Sequence, residues 1–181
     1  SASSSPNIQL AVFDKDGTLL NFDATWLPGL RESAARAAAG DAQLAAALCR
    51  PGGLNEDCLD PTGQMAQGTA CQLAELWMAT HAPLAARWKG DATALEALIE
   101  STWLEKTVRD ATPLGAVEAT LRQLGEVGVQ AAVVTHDSEA SARAQLQRLG
   151  WLELFGTVIG FDSGHGAKPG PGGVRAAIAA A

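Results

Sequence analysis

Basic side chains are scarce in this chain. Its 181 residues carry 13 Lys and Arg against 20 Asp and Glu, a formal charge of −7 at neutral pH. No basic cluster offsets that balance, so the long-range field repels nucleic acid and anionic membrane surfaces, and neither is expected as a partner. Any anion must be held by a few placed cations, by backbone donors or by a metal. Cysteine is also sparse. Cys49, Cys58 and Cys71 show no paired metal-ligand spacing. An odd count with no secretory leader in view leads us to expect reduced thiols and a cytoplasmic protein. No apolar run approaches the ~20 residues that span a bilayer. The Ser-rich start, residues 1–7, is neither apolar nor basic and reads as an unstructured end. What is present is a 47% hydrophobic composition, enough for a soluble globular protein with a substantial core.

The organisation changes twice along the chain. Residues 8–13 are a short apolar run that stops at Asp14-Lys15-Asp16-Gly17-Thr18. Its length and the glycine just beyond it indicate a buried strand entering a tight turn. From 21 to 111 the pattern is helical throughout. Leu44 and Leu48, Leu73 with Leu76 and Trp77, and Leu95 with Leu98, Ile99 and Thr102 recur at helical spacing. Asp91 is placed to cap the last of these helices. Arg50-Pro51-Gly52-Gly53 and Asp60-Pro61-Thr62-Gly63 carry turn chemistry between them.

Alternation of strand and helix resumes at 112. Thr112-Pro113 reads as a cap with proline at the first helical position, followed by the apolar face Leu114, Val117, Leu121 and Leu124. Residues 129–134 form an apolar strand ending at Thr135. Ser138 can cap a helix carrying Leu146 and Leu149. Residues 157–161 are a third strand, and a helix begins at Val174. Apolar strands alternating with helices mean a parallel, doubly wound α/β sheet. The expected domains are a core of residues 6–20 with 112–181 and an all-helical insert of residues 21–111.

Ligands of open parallel sheets bind beyond the carboxyl ends of the strands. Here the first strand end offers Asp14 and Asp16, the second Thr135, and the loop after the third Lys168. A carboxylate at such a strand end can attack phosphorus. A second carboxyl two residues on can protonate a leaving oxygen and then activate water. Gly17 lets the backbone turn close to an anion. A threonine hydroxyl, backbone N–H groups and an ammonium can neutralise the transferred charge. Magnesium, satisfied by one or two carboxylates plus waters and phosphate oxygens, would complete the set at Asp14 and Asp16.

Together these residues resemble the motifs of the haloacid dehalogenase superfamily. Its first motif stands here as Asp14-Lys15-Asp16-Gly17-Thr18, its second as Val133-Val134-Thr135, and its third as Lys168-Pro169-Gly170-Pro171. The helical insert resembles the cap of the phosphoglycolate-phosphatase-like branch. The resemblance implies a Rossmann-like core with the cap inserted after the first strand. It also implies magnesium-dependent hydrolysis of a small phosphomonoester, such as phosphoglycolate, through an aspartyl-phosphate. Asp14 is then the nucleophile and Asp16 the acid and base. Thr135 and Lys168 hold the phosphoryl group, with Gly17, Thr18 and His136 beside it. Asp at the position of Asp16 marks phosphatases and phosphomutases rather than dehalogenases or cation pumps.

Two departures stand out. His136 occupies a position where relatives often carry Asn. Nothing after Lys168 is acidic, whereas relatives carry a fourth, acidic motif on a further strand. We therefore expect the core to be incomplete at its C-terminal side within these residues, leaving the first strand as an edge. Two rival functions remain open: a sugar phosphomutase, and a catalytically weak phosphate-binding protein. A calcium loop starting at Asp14 would need Glu at its twelfth position, where Thr25 stands. His165 reads as a loop residue and His81 as a helix end. The tryptophans read as core, and Arg31, Arg36, Arg50, Arg87 and Lys89 as solvated helix faces.

Overall fold

The computed structural model describes residues 8–55 and 58–181. The Ser-rich start lies outside the described residues. Three parallel strands, β1 (Leu10–Phe13), β2 (Gln130–Val134) and β3 (Thr157–Ile159), form one sheet in the order β1-β2-β3. The register pairs Phe13 with Val133 and Val134 with Ile159. Among the described residues β1 is an edge strand.

Strand periodicity explains the layers. Successive side chains of a strand point to opposite faces. Ala131 and Val133 pack on one face with Leu121, Ala142, Leu146 and Trp151. Ala132 and Val134 pack on the other with Ile159 and Ala177. The first layer comes from α7 (Val117–Glu126) and α8 (Glu139–Arg148), the second from α9 (Gly172–Ala180). A parallel sheet covered on both faces needs apolar residues at every position, and residues 131–134 are all buried.

The chain divides into two compact units. One comprises the described residues up to Phe22 with Ala111–Ala181, and the other is Asp23–Asp110. The second unit is helical. It contains most of α1 (Phe22–Ala37), then α2 (Ala42–Cys49), α3 (Gln64–Gln67), α4 (Ala70–Thr80), α5 (Ala82–Arg87) and α6 (Ala92–Arg109). Leu30, Leu48, Leu73, Trp77, Leu84, Leu95 and Ile99 are fully buried in it. The Trp77 indole donates to Leu48 O at 2.7 Å and the Trp88 indole to Ala37 O at 3.0 Å. Asp91 caps α6, its carboxylate accepting from Ala94 N at 2.9 Å. An isolated bridge, Leu54 to Leu59, is the only strand-like pairing among the insert's described residues. No helix among the described residues is long and apolar enough to cross a membrane.

One local expectation is corrected. α7 begins at Val117 rather than at Pro113, and Leu114 is exposed instead of core-facing. The backbone there is already committed. Asn21 N donates to Thr112 O at 2.8 Å, Leu114 N donates to Leu19 O at 2.9 Å, and Leu20 bridges Pro113. Proline has no N–H to lose in such a bridge. Gly115, at φ +73°, then turns the chain into the helix. The first and third strands also begin or end two residues inside the expected spans.

Candidate active site

Because the strands are parallel, the residues that leave β1, β2 and β3 emerge along one edge of the sheet. At the end of β1 the backbone closes into a tight turn. Leu19 N and Leu20 N both donate to Lys15 O, at 2.8 and 3.0 Å, and Gly17 N donates to Leu20 O at 2.8 Å. Gly17 sits at φ +79°, a conformation that side chains with a Cβ rarely adopt. The turn leaves Asp14, Gly17 and Thr18 exposed, Asp16 partly covered and Lys15 fully buried.

The loop after β3 returns to this turn. The Lys168 ammonium donates to Asp14 Oδ1 at 2.7 Å, joining residues 154 apart in the chain. The same oxygen accepts the Lys15 N–H at 2.8 Å. His136, exposed just beyond β2, meets Lys168 O through Nε2 at 2.9 Å. A carbonyl can only accept, so that nitrogen carries the proton. Thr135 is buried, donates its N–H to Ile159 O at 2.9 Å, and its hydroxyl accepts from Asp137 N at 3.1 Å. Asp14, Lys168 and His136 are thus linked directly, while Thr135 joins them through the sheet and the Asp137 loop. His165 is exposed in the loop before Lys168.

A second layer behind the turn escaped the sequence reading. Lys15 Nζ donates to Asp16 Oδ1 at 2.8 Å and to Gln145 Oε1 at 2.6 Å, and pairs with Asp137 Oδ2 at 3.2 Å. Ser141 Oγ donates to Asp137 Oδ2 at 2.8 Å. A signal was available: Ser141 and Gln145 lie four apart on one face of α8, and Asp137 stands four residues before Ser141, just ahead of the helix.

Asp14 and Asp16 are hard oxygen donors of the kind magnesium takes, one or two carboxylates at a time, and Asp14 is the exposed one of the pair. No group of three or more His, Cys, Asp or Glu side chains among the described residues is placed to hold a metal. A cavity of about 540 Å³ lined by Leu121, Arg122, Gln130 and Gly156 lies at the opposite, amino ends of β2 and β3, away from this chemistry.

Residues 8–181 match the family model for haloacid dehalogenase-like hydrolases. No curated protein matches the chain. Among solved structures it is similar to a predicted phosphoglycolate phosphatase from Haemophilus somnus, with 20% identity and a TM-score of 0.62 over 93% of this chain and 69% of that one. It is also similar to CbbY from Rhodobacter sphaeroides in complex with phosphate, with 15% identity and a TM-score of 0.59 over 96% and 72% of the two chains. An L-2-haloacid dehalogenase from Xanthobacter autotrophicus shares 17% identity at a TM-score of 0.50, over 94% and 63%. Such likenesses show a shared fold and leave the choice of chemistry to the residues at the strand ends.

Proposed function

The chain belongs to the haloacid dehalogenase-like hydrolase family, and on that premise we propose that it hydrolyses a small phosphomonoester through an aspartyl-phosphate on Asp14. The observation that carries this reading is the Lys168 ammonium 2.7 Å from an exposed carboxylate at a strand end, with a second carboxylate two residues further on. A cation there suits a site that must hold an anion against a nucleophile of the same sign.

A carboxylate oxygen of Asp14 attacks phosphorus in line, and the bond from phosphorus to the ester oxygen breaks. Asp16 gives a proton to that oxygen, so the product leaves as an alcohol. Asp16 then takes a proton from water, which attacks the acyl phosphate and restores Asp14. Lys168 and Thr135 hold the phosphoryl oxygens, and the turn at Gly17 and Thr18, with the backbone at His136, lies beside them. Asp14 and Asp16 would hold magnesium, which supplies further charge neutralisation when bound. We assign to the helical insert the role of a cap that excludes water and selects the leaving group. The substrate class favoured is a small phosphorylated metabolite of the phosphoglycolate type, a choice that rests on the similarity to the Haemophilus structure.

The test is release of inorganic phosphate from a panel of phosphomonoesters in the presence of magnesium. Asp14→Asn keeps the shape of the side chain but removes the nucleophile, so turnover should fall to background while the thermal transition stays in place. Acid-quenched wild-type protein should carry a phosphate adduct on Asp14. Wild-type rates in the variant would end this mechanism, and an isomerised phosphate as product would make the protein a phosphomutase.

A further inference from the structure

The middle residue of the turn that carries Asp14 and Asp16 is a lysine with no exposed surface. Lysine is almost never fully buried unless paired, because its ammonium loses strong hydration. Here the ammonium meets Asp16, Gln145 and Asp137. Nζ lies 2.8 and 2.7 Å from the two carboxylate oxygens of Asp16, 2.6 Å from Gln145 Oε1 and 3.2 Å from Asp137 Oδ2. The acceptors are themselves fixed. Asp137 Oδ1 accepts from Ser138 N at 2.8 Å, and its Oδ2 accepts from Ser141 Oγ at 2.8 Å and Gln145 Nε2 at 3.2 Å. Gln145 Nε2 also donates to Ser141 Oγ at 3.0 Å. Asp137 N donates to Thr135 Oγ1 at 3.1 Å. A continuous chain of polar contacts therefore runs from Asp16 through Lys15 and Asp137 to Thr135, braced on one face of α8.

We propose that Lys15 is a positioning residue: it grips the Asp16 carboxylate by both oxygens and, through Asp137 and Gln145, sets its orientation and its spacing from the Thr135 loop. The proposal rests on the reading of Asp16 as proton donor to the leaving oxygen. Lys15 touches no substrate in this scheme and acts only through Asp16. A merely structural lysine, present to neutralise Asp137, would affect every substrate alike. A positioning lysine affects most the substrates that need a well-aimed proton.

The experiment compares kcat/KM for p-nitrophenyl phosphate, whose leaving group departs with little protonation, with that for β-glycerophosphate, whose alkoxide must be protonated. This ratio reports the step in which the leaving group departs, whichever later step limits kcat. Lys15→Met is expected to lower the β-glycerophosphate value by about 10²-fold and the p-nitrophenyl phosphate value by less than about threefold, the scale of a misaimed catalytic group. Asp16→Asn, measured in parallel, should show the same selectivity with a larger loss. If Lys15→Met fails to fold, Lys15→Met with Asp137→Asn removes one of the two carboxylates left without their cation and carries the same measurement. Selective loss in Asp16→Asn together with an equal loss on both substrates, or none, in the lysine variant would overturn the positioning role and leave the acid role standing. Equal loss on both substrates in Asp16→Asn would overturn the acid role and the proposal with it.

Discussion

Among the described residues the helical insert buries the hydroxyl residues Thr25, Ser33, Thr102 and Thr107, whereas the α/β unit buries Lys15, Thr135, Ser141 and Gln145. Two of the insert's hydroxyls bond back to their own helix. Ser33 Oγ donates to Leu30 O at 2.8 Å and Thr102 Oγ1 to Leu98 O at 2.7 Å. Such bonds back to the preceding turn are local, although Thr102 Oγ1 also accepts from Arg36 Nη1 at 3.3 Å. In the α/β unit the buried polar groups tie together elements far apart in the chain, as the contact from Lys15 to Gln145 does across 130 residues. Convergent polar burial of that kind is worth its desolvation cost only where groups must be held in one geometry, as at a reaction site. The insert is assembled mainly by apolar packing, and the α/β unit by packing plus a polar lattice at its strand ends.

The sharpest way to break this comparison is to damage each unit in its own currency. Trp77 is fully buried in the insert and its indole holds the Leu48 carbonyl. Trp77→Ala should destabilise the insert by about 3–5 kcal/mol, through the cavity and the carbonyl left without its donor. Hydrogen exchange should show protection lost in α4 and α6 but retained in β2. Equal loss in β2 would mean that the two units unfold as one. Lys168→Met should do the opposite. With both partners partly exposed, loss of the pair with Asp14 should cost within about 1 kcal/mol of stability, while turnover should fall by about 10²- to 10³-fold. Melting curves beside phosphate-release rates check this, and a large fall in stability would make the ammonium structural.

The smallest effect concerns pH. Glu139, in the first turn of α8, accepts from Ser163 Oγ and Arg143 Nε at 2.7 Å each. The Ser163 hydroxyl, then Arg143, hold its carboxyl below the usual glutamate range. A carboxyl lowered on folding stabilises the fold above its unfolded pKa, and that stability is lost as pH falls through the folded value. Glu139→Gln should therefore be less stable at neutral pH by no more than about 1 kcal/mol, and the gap should close in the acid range. Denaturant midpoints measured against pH would show it, and a gap independent of pH would mean that the loss does not come from the charge of the Glu139 carboxylate.

Particular residues show where reading from sequence reaches and where it stops. The apolar run of residues 129–134 marks β2, and the side chains of Asp91 and Ser138 cap the helices they precede. Each signal is local, a matter of periodicity or of one hydrogen bond to a neighbouring amide. Thr112-Pro113 carries an equally good local signal for a helix start, yet its backbone bonds instead to residues 19–21. A long-range pairing there overrides local propensity. Lys15 is the other limit, because a lysine inside an acidic turn reads as solvated until its partners on α8 are placed.

The chain by itself determined the tight turn of residues 14–18, the positive φ that falls to Gly17, the three apolar strands and the helical insert, because these follow from side-chain period and short-range sterics. Tertiary structure alone decided that Lys168 reaches Asp14, that β1 lies beside β2, and that an ammonium is sealed behind Asp16. The contacts from Lys168 to Asp14, from β1 to β2, and from Lys15 to Asp137 and Gln145 join residues more than a hundred positions apart. They exist only once the sheet has closed the intervening loops and set α8 across its face, so no local window of sequence contains them.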